Sequence, residues 1–570
     1  MHSYLQKLLL GTFSILILLG CSGSSDHSNS DLPGETEMVA IPIPVESEEG
    51  AANFLTHATF GVRKEDIDQL MTMGDYNIWL NEQFRKPSTY YIDWINRHQG
   101  RDLRDVVVRK AFYNAWYSIA VNAEDQLRQR VALALSEIIV VSAIGVEYYY
   151  PLADYFDLLL DHTFGNYRDI LYHTALHPSM GIYLSTWGNM KEHTTENGTL
   201  VHADENYARE ILQLFSIGLV QLELNGEPKL LDGKPIPTYT QKDIEEFAKV
   251  YTGWTSDNGA FYYLDGTNTL ASLIKPMVAY EAYHDTREKN FSDTFNSAYA
   301  QPQQIPQGLT AKDDLNRAID IIFNHPNVGP FIGKQLIQRL VTSNPSPEYV
   351  ARVASAFNDN GSGVRGDMKA VIRAILTDEE ALFKYRDQRP SPHIHGKLRE
   401  QLIRIASVMR TFHAAGDPSI SSYPFYDFDA AQDLGLHIQP LTAPSVFNYF
   451  QPTYSPSGII QENNLVAPEF KVLSPLKMSE FGRVMLNVIG LTDELHDQIT
   501  LDLSEEQNLL AFQGPEAFIE HLNLLLMSGQ MSADLKDELT AYAAAHQDAH
   551  NIAGQIIALI VLSAEYAIER

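Results

Sequence analysis

From Ala51 to Arg570 apolar side chains return every three or four residues almost without a break, and this periodicity constrains the fold most. Leu127, Val131, Leu135 and Ile138 keep helical register through 125–141, and Val106, Ala111, Ala115 and Ile119 do so through 102–122. Further helices are expected over 51–60, 64–74, 155–177, 204–218, 241–253, 311–324, 327–341, 347–357, 367–377, 397–414, 477–488, 515–527, 532–546 and 553–569. Strand signals are sparse. The best hairpin candidate is 219–224, turning at Asn225-Gly226 before 229–231, with short strands possible in principle at 261–264 and 276–281. The expected fold is therefore mainly α: a large multi-helix domain over 51–570 with a few short strands or hairpins. It is open to division into two lobes, 51–254 and 311–570, meeting near the irregular stretch 255–310. More than half the residues should be helical, against a usual share of about one-third.

Composition supports a packed core. Of 570 residues, 45% are apolar and 10% aromatic, which excludes a disordered tail or a coiled-coil rod. Formal charge is 42 − 72 = −30. With Lys and Arg dispersed, so acidic a surface repels phosphate backbones and argues against a nucleic-acid partner. The single cysteine excludes a disulfide framework and any CxxC redox or zinc site.

That cysteine has a telling place. Lys7 supplies a positive n-region, and Leu8 to Leu19 is an apolar stretch of signal-peptide length, too short to span a bilayer. It ends Leu18-Leu19-Gly20-Cys21, which resembles a bacterial lipobox. By that resemblance 1–20 is a lipoprotein signal peptide, Cys21 is lipidated, and Ser22 after it favours the outer membrane. Residues 21–50, rich in Ser, Asp, Glu, Pro and Gly, read as a flexible tether. The expected address is the bacterial cell envelope, with the bilayer as a partner through Cys21. The late apolar run 556–564 is too short to span and reads as a buried helix.

Motifs of the commonest enzymes are missing: no HExxH, GxSxG, P-loop or C2H2 spacing occurs. A GxGxxG at Gly361, Gly363 and Gly366 follows a helix rather than a strand, so it reads as an interhelical loop with Asp367 capping the next helix. The same loop imitates the start of an EF-hand, but Lys369 stands where a bidentate Glu is needed. In 204–219, Glu205, Asn206, Arg209, Glu210 and Gln213 share one helical arc, opposite Tyr207, Ile211, Leu214 and Phe215. That arc is either a solvated face or the wall of a cleft. Thr240-Gln241-Lys242-Asp243 has the form of a capping box, which favours a capping role for Asp243. Trp254 follows Gly253 as a packed indole near a helix end. His284-Asp285 with Lys289 lies in irregular chain, where a His–Asp pair serves as base and orienter, as metal ligands, or as surface and capping groups.

Together these segments resemble one family, the bacterial DUF1800 proteins of unknown function. The resemblance rests on Leu127-Arg128-Gln129-Arg130-Val131-Ala132 through Ser142, Phe164 to Asp169 with His177-Pro178 and Met180, and Glu205 to Glu210 with Leu214 to Gly218. It continues in Tyr239-Thr240 with Asp243, Thr252-Gly253-Trp254, His284-Asp285 with Lys289, His325-Pro326-Asn327 with Phe331-Ile332, Gly366 to Val371, Lys397-Leu398-Arg399-Glu400 and Ala443 to Asn448. It implies an exported, mostly helical protein, often encoded beside a partner that resembles sulfatases and phosphatases. It brings no accepted activity or catalytic residue. Since Asn206, Arg209 and Glu210 fall within a family block, it strengthens the cleft reading of that arc.

Two functions of different class follow. In an envelope hydrolase, Glu210, Asp243, His284 and Asp285 would be the acid/base or metal-ligating groups. Asn206, Arg209, Lys289 and Trp254 would hold the substrate, and a hard divalent cation (Mg²⁺, Ca²⁺ or Mn²⁺) would suit such donors. In a non-catalytic lipoprotein that anchors or matures an exported partner or binds a glycan, the aromatic stretch 421–454 would be the contact surface. Its candidates are Tyr423, Phe425, Tyr426, Phe428, Phe447, Tyr449, Phe450 and Tyr454. Convergence of Glu210, Asp243, His284 and Lys289 on one pocket would favour the first.

Overall fold

Serine and aspartate caps set the helix starts, as the sequence pattern requires. Ser47 Oγ accepts from the Gly50 amide to open Glu48–Ala58, inside the stretch expected to be tether. Ser346 and Ser474 cap helices whose first residues are Pro347 and Pro475, where a missing N–H costs nothing. Asp367 caps Met368–Leu376 by accepting from the Lys369 and Ala370 amides, so the GxGxxG is an interhelical loop as expected.

The computed structural model describes residues 41–99, 105–257, 261, 272–382, 395–416, 437–492, 499–547 and 549–570, with the backbone alone at 99 and 105–107. The signal peptide, Cys21, most of the tether, and Tyr423, Phe425, Tyr426 and Phe428 lie outside them. Of the described residues 55% are helical, in 25 helices, and the strands form six antiparallel two-stranded ladders. The protein is mainly α. None of its described helices is long and apolar enough to cross a membrane. The 556–564 run lies largely in the buried helix Ile552–Val561.

Residues 42–570 pack around one continuous apolar core. Near its centre lies Gln126–Ser136, in which every residue but Arg128 is buried. A helix buried all round must be apolar or have its polar groups paired. Gln129 meets the second condition through the Tyr91 hydroxyl, the Thr89 carbonyl and Asp125.

Four departures from the periodicity have identifiable causes. The 125–141 helix stops at Ser136, and Glu137 turns its carboxyl into the interior ahead of the β-branched run Ile138 to Val141. The 155–177 helix is two, Tyr149–His162 and Tyr167–Leu176, divided where the Asn166 side chain accepts from the Arg168 amide. The Asn225-Gly226 turn forms, but Pro228 cannot donate to a ladder, so Leu222 meets it in a single bridge. The two-residue ladder is Leu230–Leu231 with Lys234–Pro235. Finally, Lys397–Leu398 is extended and pairs antiparallel with Ile568–Glu569, and the helix begins only at Gln401. Gly396 permits this: its φ is 122°, and any side chain there would collide with the Glu569 carbonyl.

Candidate functional site

The residues singled out in the sequence fall into two groups. On the Asn206–Gln213 helix, Asn206 is exposed, and Arg209 bonds Glu205 at 3.1 Å with its side chain 40% exposed. Glu210 faces the other way, 6% exposed with Oε2 unpartnered. Burial pushes its carboxyl up, and Arg209 only partly offsets this. Burial, and then the charge of Glu210, pushes the Tyr183 and Tyr239 phenols up to about 12.

The second group is fully buried. His284 Nε2 lies 2.9 Å from Asp314 Oδ2, while its Nδ1 faces the Thr252 carbonyl at 3.0 Å. Lys289 Nζ donates to the same Asp314 oxygen and to the Asp285 carbonyl at 2.7 Å. Asp285 grips Arg287 with both oxygens at 3.0 Å. Burial alone would raise the Asp285 carboxyl, but the Arg287 hydrogen bonds hold it below the usual range. Asp243 completes the capping box with Thr240 and also accepts from the Ser292 amide and hydroxyl, both at 2.6 Å. Trp254 is buried in a short strand paired with Val278–Ala279. His284, Asp285 and Lys289 therefore meet, Asp243 ties a neighbouring loop, and Glu210 with Arg209 and Asn206 stands apart. Asp314, which joins this knot, has no signal in the sequence beyond its place in the first turn of a helix.

A different centre is built from segments the sequence reading did not assign a role. Glu137 follows the central helix, Glu400 precedes Gln401–Thr411, and His437 opens the described part of the aromatic stretch; all three are buried. One ligand atom from each lies within 4.8 Å of the others. The outer oxygens are tied down: Arg339 Nε stands 3.4 Å from Glu137 Oε2, and Lys397 Nζ stands 3.3 Å from Glu400 Oε1 and 3.4 Å from Glu469. The inner atoms Glu137 Oε1, Glu400 Oε2 and His437 Nδ1 have no hydrogen-bond partner. His437 stacks on Tyr449 at 3.9 Å. A narrow recess lined by Ser136, Glu137, His437, Asn448 and Tyr449 has a free volume of about 10 Å³, room for one water.

The electrostatics separate the two acids. Burial, and then the charge of Glu400, pushes the Glu137 carboxyl well above its usual range. Burial would raise Glu400 too, but Lys397, the Glu137 carboxyl, His437 and Arg130 together hold it well below. Burial pushes the His437 imidazole down to about 4. The centre thus sets a carboxyl biased toward its protonated form beside one held ionised and an imidazole biased toward its neutral form, a division of labour suited to acid/base chemistry. Over the recess runs 438–449, held by Ala143 N to Leu441 O at 2.8 Å and Ser142 Oγ to Ala443 O at 2.7 Å. Leu441 and Asn448 there carry φ of 54° and 60°, strained for residues with a side chain. The signal that could have found the centre was a lone Glu within the buried apolar run 131–141.

Fold and centre together define an all-helical protein whose core is crossed by a buried carboxyl–imidazole–cation network. The family described as "Protein of unknown function (DUF1800)" matches residues 53–568, and the chain belongs to it. No curated protein and no solved structure matches the chain.

Proposed function

We propose that the protein is a lipoprotein of the bacterial cell envelope, anchored at Cys21, and that it is a hydrolase working at Glu137, Glu400 and His437. One observation carries the choice of centre. Of the predicted acid/base groups, Asp243, His284 and Asp285 are taken up by internal hydrogen bonds and Glu210 keeps one oxygen unpartnered but stands apart, whereas Glu137, Glu400 and His437 bring unpartnered buried atoms together. In this reading His437 takes the proton of an attacking water and Glu137 gives its proton to the leaving group. The Glu400 carboxylate stabilises the imidazolium formed. Arg339 acts as a positioning residue on Glu137.

The test is a panel of chromogenic phosphate, sulfate, carboxylic and glycosidic esters and acetals against full-length protein and Glu137→Gln. Turnover of one class, falling at least about 100-fold in the variant with melting unchanged, supports the proposal. Turnover indifferent to the substitution, or absent throughout the panel, overturns it. For the anchor, Cys21→Ala should leave unprocessed precursor or release the protein from the membrane fraction; a variant that partitions like wild type sinks that part.

A second reading, a partner-binding lipoprotein, draws on the aromatic stretch. Phe450 is buried, Tyr449 packs on His437 and Tyr454 lies under Lys471, but Phe447 stands 38% exposed beside the exposed Pro444 and Ser445. Phe447→Ala that abolishes co-purification of an exported partner, while leaving turnover intact, would favour that role.

A further inference from the structure

Glu137 and Glu400 flank the His437 imidazole in the interior, and the cations nearest them approach from behind. Arg339 and Lys397 reach the outer oxygens only. Glu137 Oε1 lies 3.4 Å from His437 Nε2, and Glu400 Oε2 lies 3.8 Å from His437 Nδ1. Glu137 Oε1, Glu400 Oε2 and His437 Nδ1 are thus buried and without a hydrogen-bond partner, and one ligand atom from each of the three residues lies within 4.8 Å of the others.

We propose that Glu137, Glu400 and His437 bind one divalent cation of the zinc or manganese kind. The inference rests on the centre used in the hydrolytic reading, but it can be measured without turnover. Two carboxylates and one imidazole suit a borderline ion better than Mg²⁺ or Ca²⁺, which favour oxygen alone. The outer contacts from Arg339 and Lys397 would fix the carboxylates as second-shell partners do in metal sites. The recess beside Glu137 and His437 has room for one water as a further ligand. Carboxylate and imidazole ligands bind a cation in their deprotonated forms, so binding strengthens as pH rises.

Full-length protein stripped with chelator and dialysed would be titrated with ZnCl₂ calorimetrically and with MnCl₂ by loss of the free-ion EPR signal. One ion per chain at micromolar Kd or tighter is expected, weakened at least 100-fold in Glu400→Gln and His437→Gln. Binding that is absent, or equal in wild type and folded variants, overturns the site and points to the acidic surface. Should the variants not fold, X-ray absorption of the wild-type zinc complex decides: one imidazole nitrogen among oxygens supports the site, and an oxygen-only shell overturns it. Turnover that survives chelation overturns a working cation and leaves the hydrolytic centre standing. Bound zinc without turnover does the reverse.

Discussion

The His284–Asp314–Lys289 knot and the Glu137–Glu400–His437 centre use nearly the same side chains for opposite ends. In the knot one carboxylate oxygen receives both an imidazole and an ammonium, so opposite charges touch and the lysine is held on two sides. In the centre two carboxyls face the imidazole from either side, and the cations that balance them stand behind. The first arrangement is a fastening: Asp314 Oδ2 serves both His284 and Lys289, although Asp314 Oδ1 has no partner of its own. The second keeps donor atoms unsatisfied at a cost in stability, and such a cost is usually retained where the atoms do chemistry.

The comparison breaks most easily at Asp314. Asp314→Asn leaves Lys289 buried with a weaker partner, so unfolding free energy by urea should fall by about 3–5 kcal/mol. A loss under 1 kcal/mol would mean that the knot is no fastening. Next comes a buried imidazole with cations rather than carboxylates around it. His325, near Arg365 and Lys229, is pushed by burial down to about 3. Its folded value lies below the unfolded 6.5, so its contribution is complete above pH 6.5 and is lost as pH falls toward 3. Between pH 6.5 and 4, wild type should lose about 3 kcal/mol more than His325→Asn. Equal losses would show that His325 takes up a proton freely.

Glu137→Gln is the matched counterpart of Asp314→Asn and should cost no more than about 1 kcal/mol at neutral pH, because burial already biases that carboxyl toward its uncharged form. The Glu137 carboxyl is raised, so its stabilisation is present in full below about pH 4.5 and fades as pH climbs through the folded value. The variant should therefore gain on wild type as pH rises; a constant gap would place the proton elsewhere. Smallest of all, Arg209→Ala breaks only a half-exposed pair with Glu205 and should cost at most about 0.5–1 kcal/mol in a thermal melt. A larger loss would restore the cleft reading of that helix face.

What was legible in the sequence was whatever depends on neighbours within a turn or two. The mainly helical fold, the Thr240–Asp243 capping box and the Asp367 cap follow from spacing alone. The His284-Asp285-Lys289 grouping was visible because a two-residue strand and its approach hold it together locally. Asp314, 25 positions from Lys289, was not. The centre was hidden for the same reason on a larger scale: Glu137, Glu400 and His437 come from three segments, and Glu137 sits among apolar residues that dominate any periodicity argument. Helix ends were misjudged where a tertiary partner decides them, as at Ser136 and at Lys397–Leu398.

The short ladder between Lys397–Leu398 and Ile568–Glu569 has a consequence for how the protein is made. Arg399 N also bonds the Ala567 carbonyl, and Glu569 reaches His57 at 3.5 Å, so an early helix and a mid-chain segment both wait for residues synthesised late. A ribosome must add 568 − 398 = 170 residues before Leu398 can meet Ile568. Until then Lys397–Leu398 lacks its ladder partner. Loop closure over such a separation is slow compared with helix formation. The nascent chain should therefore pass through a stage in which its earlier helices exist and the closing ladder does not, and any arrest of synthesis before residue 567 would leave that stage permanent.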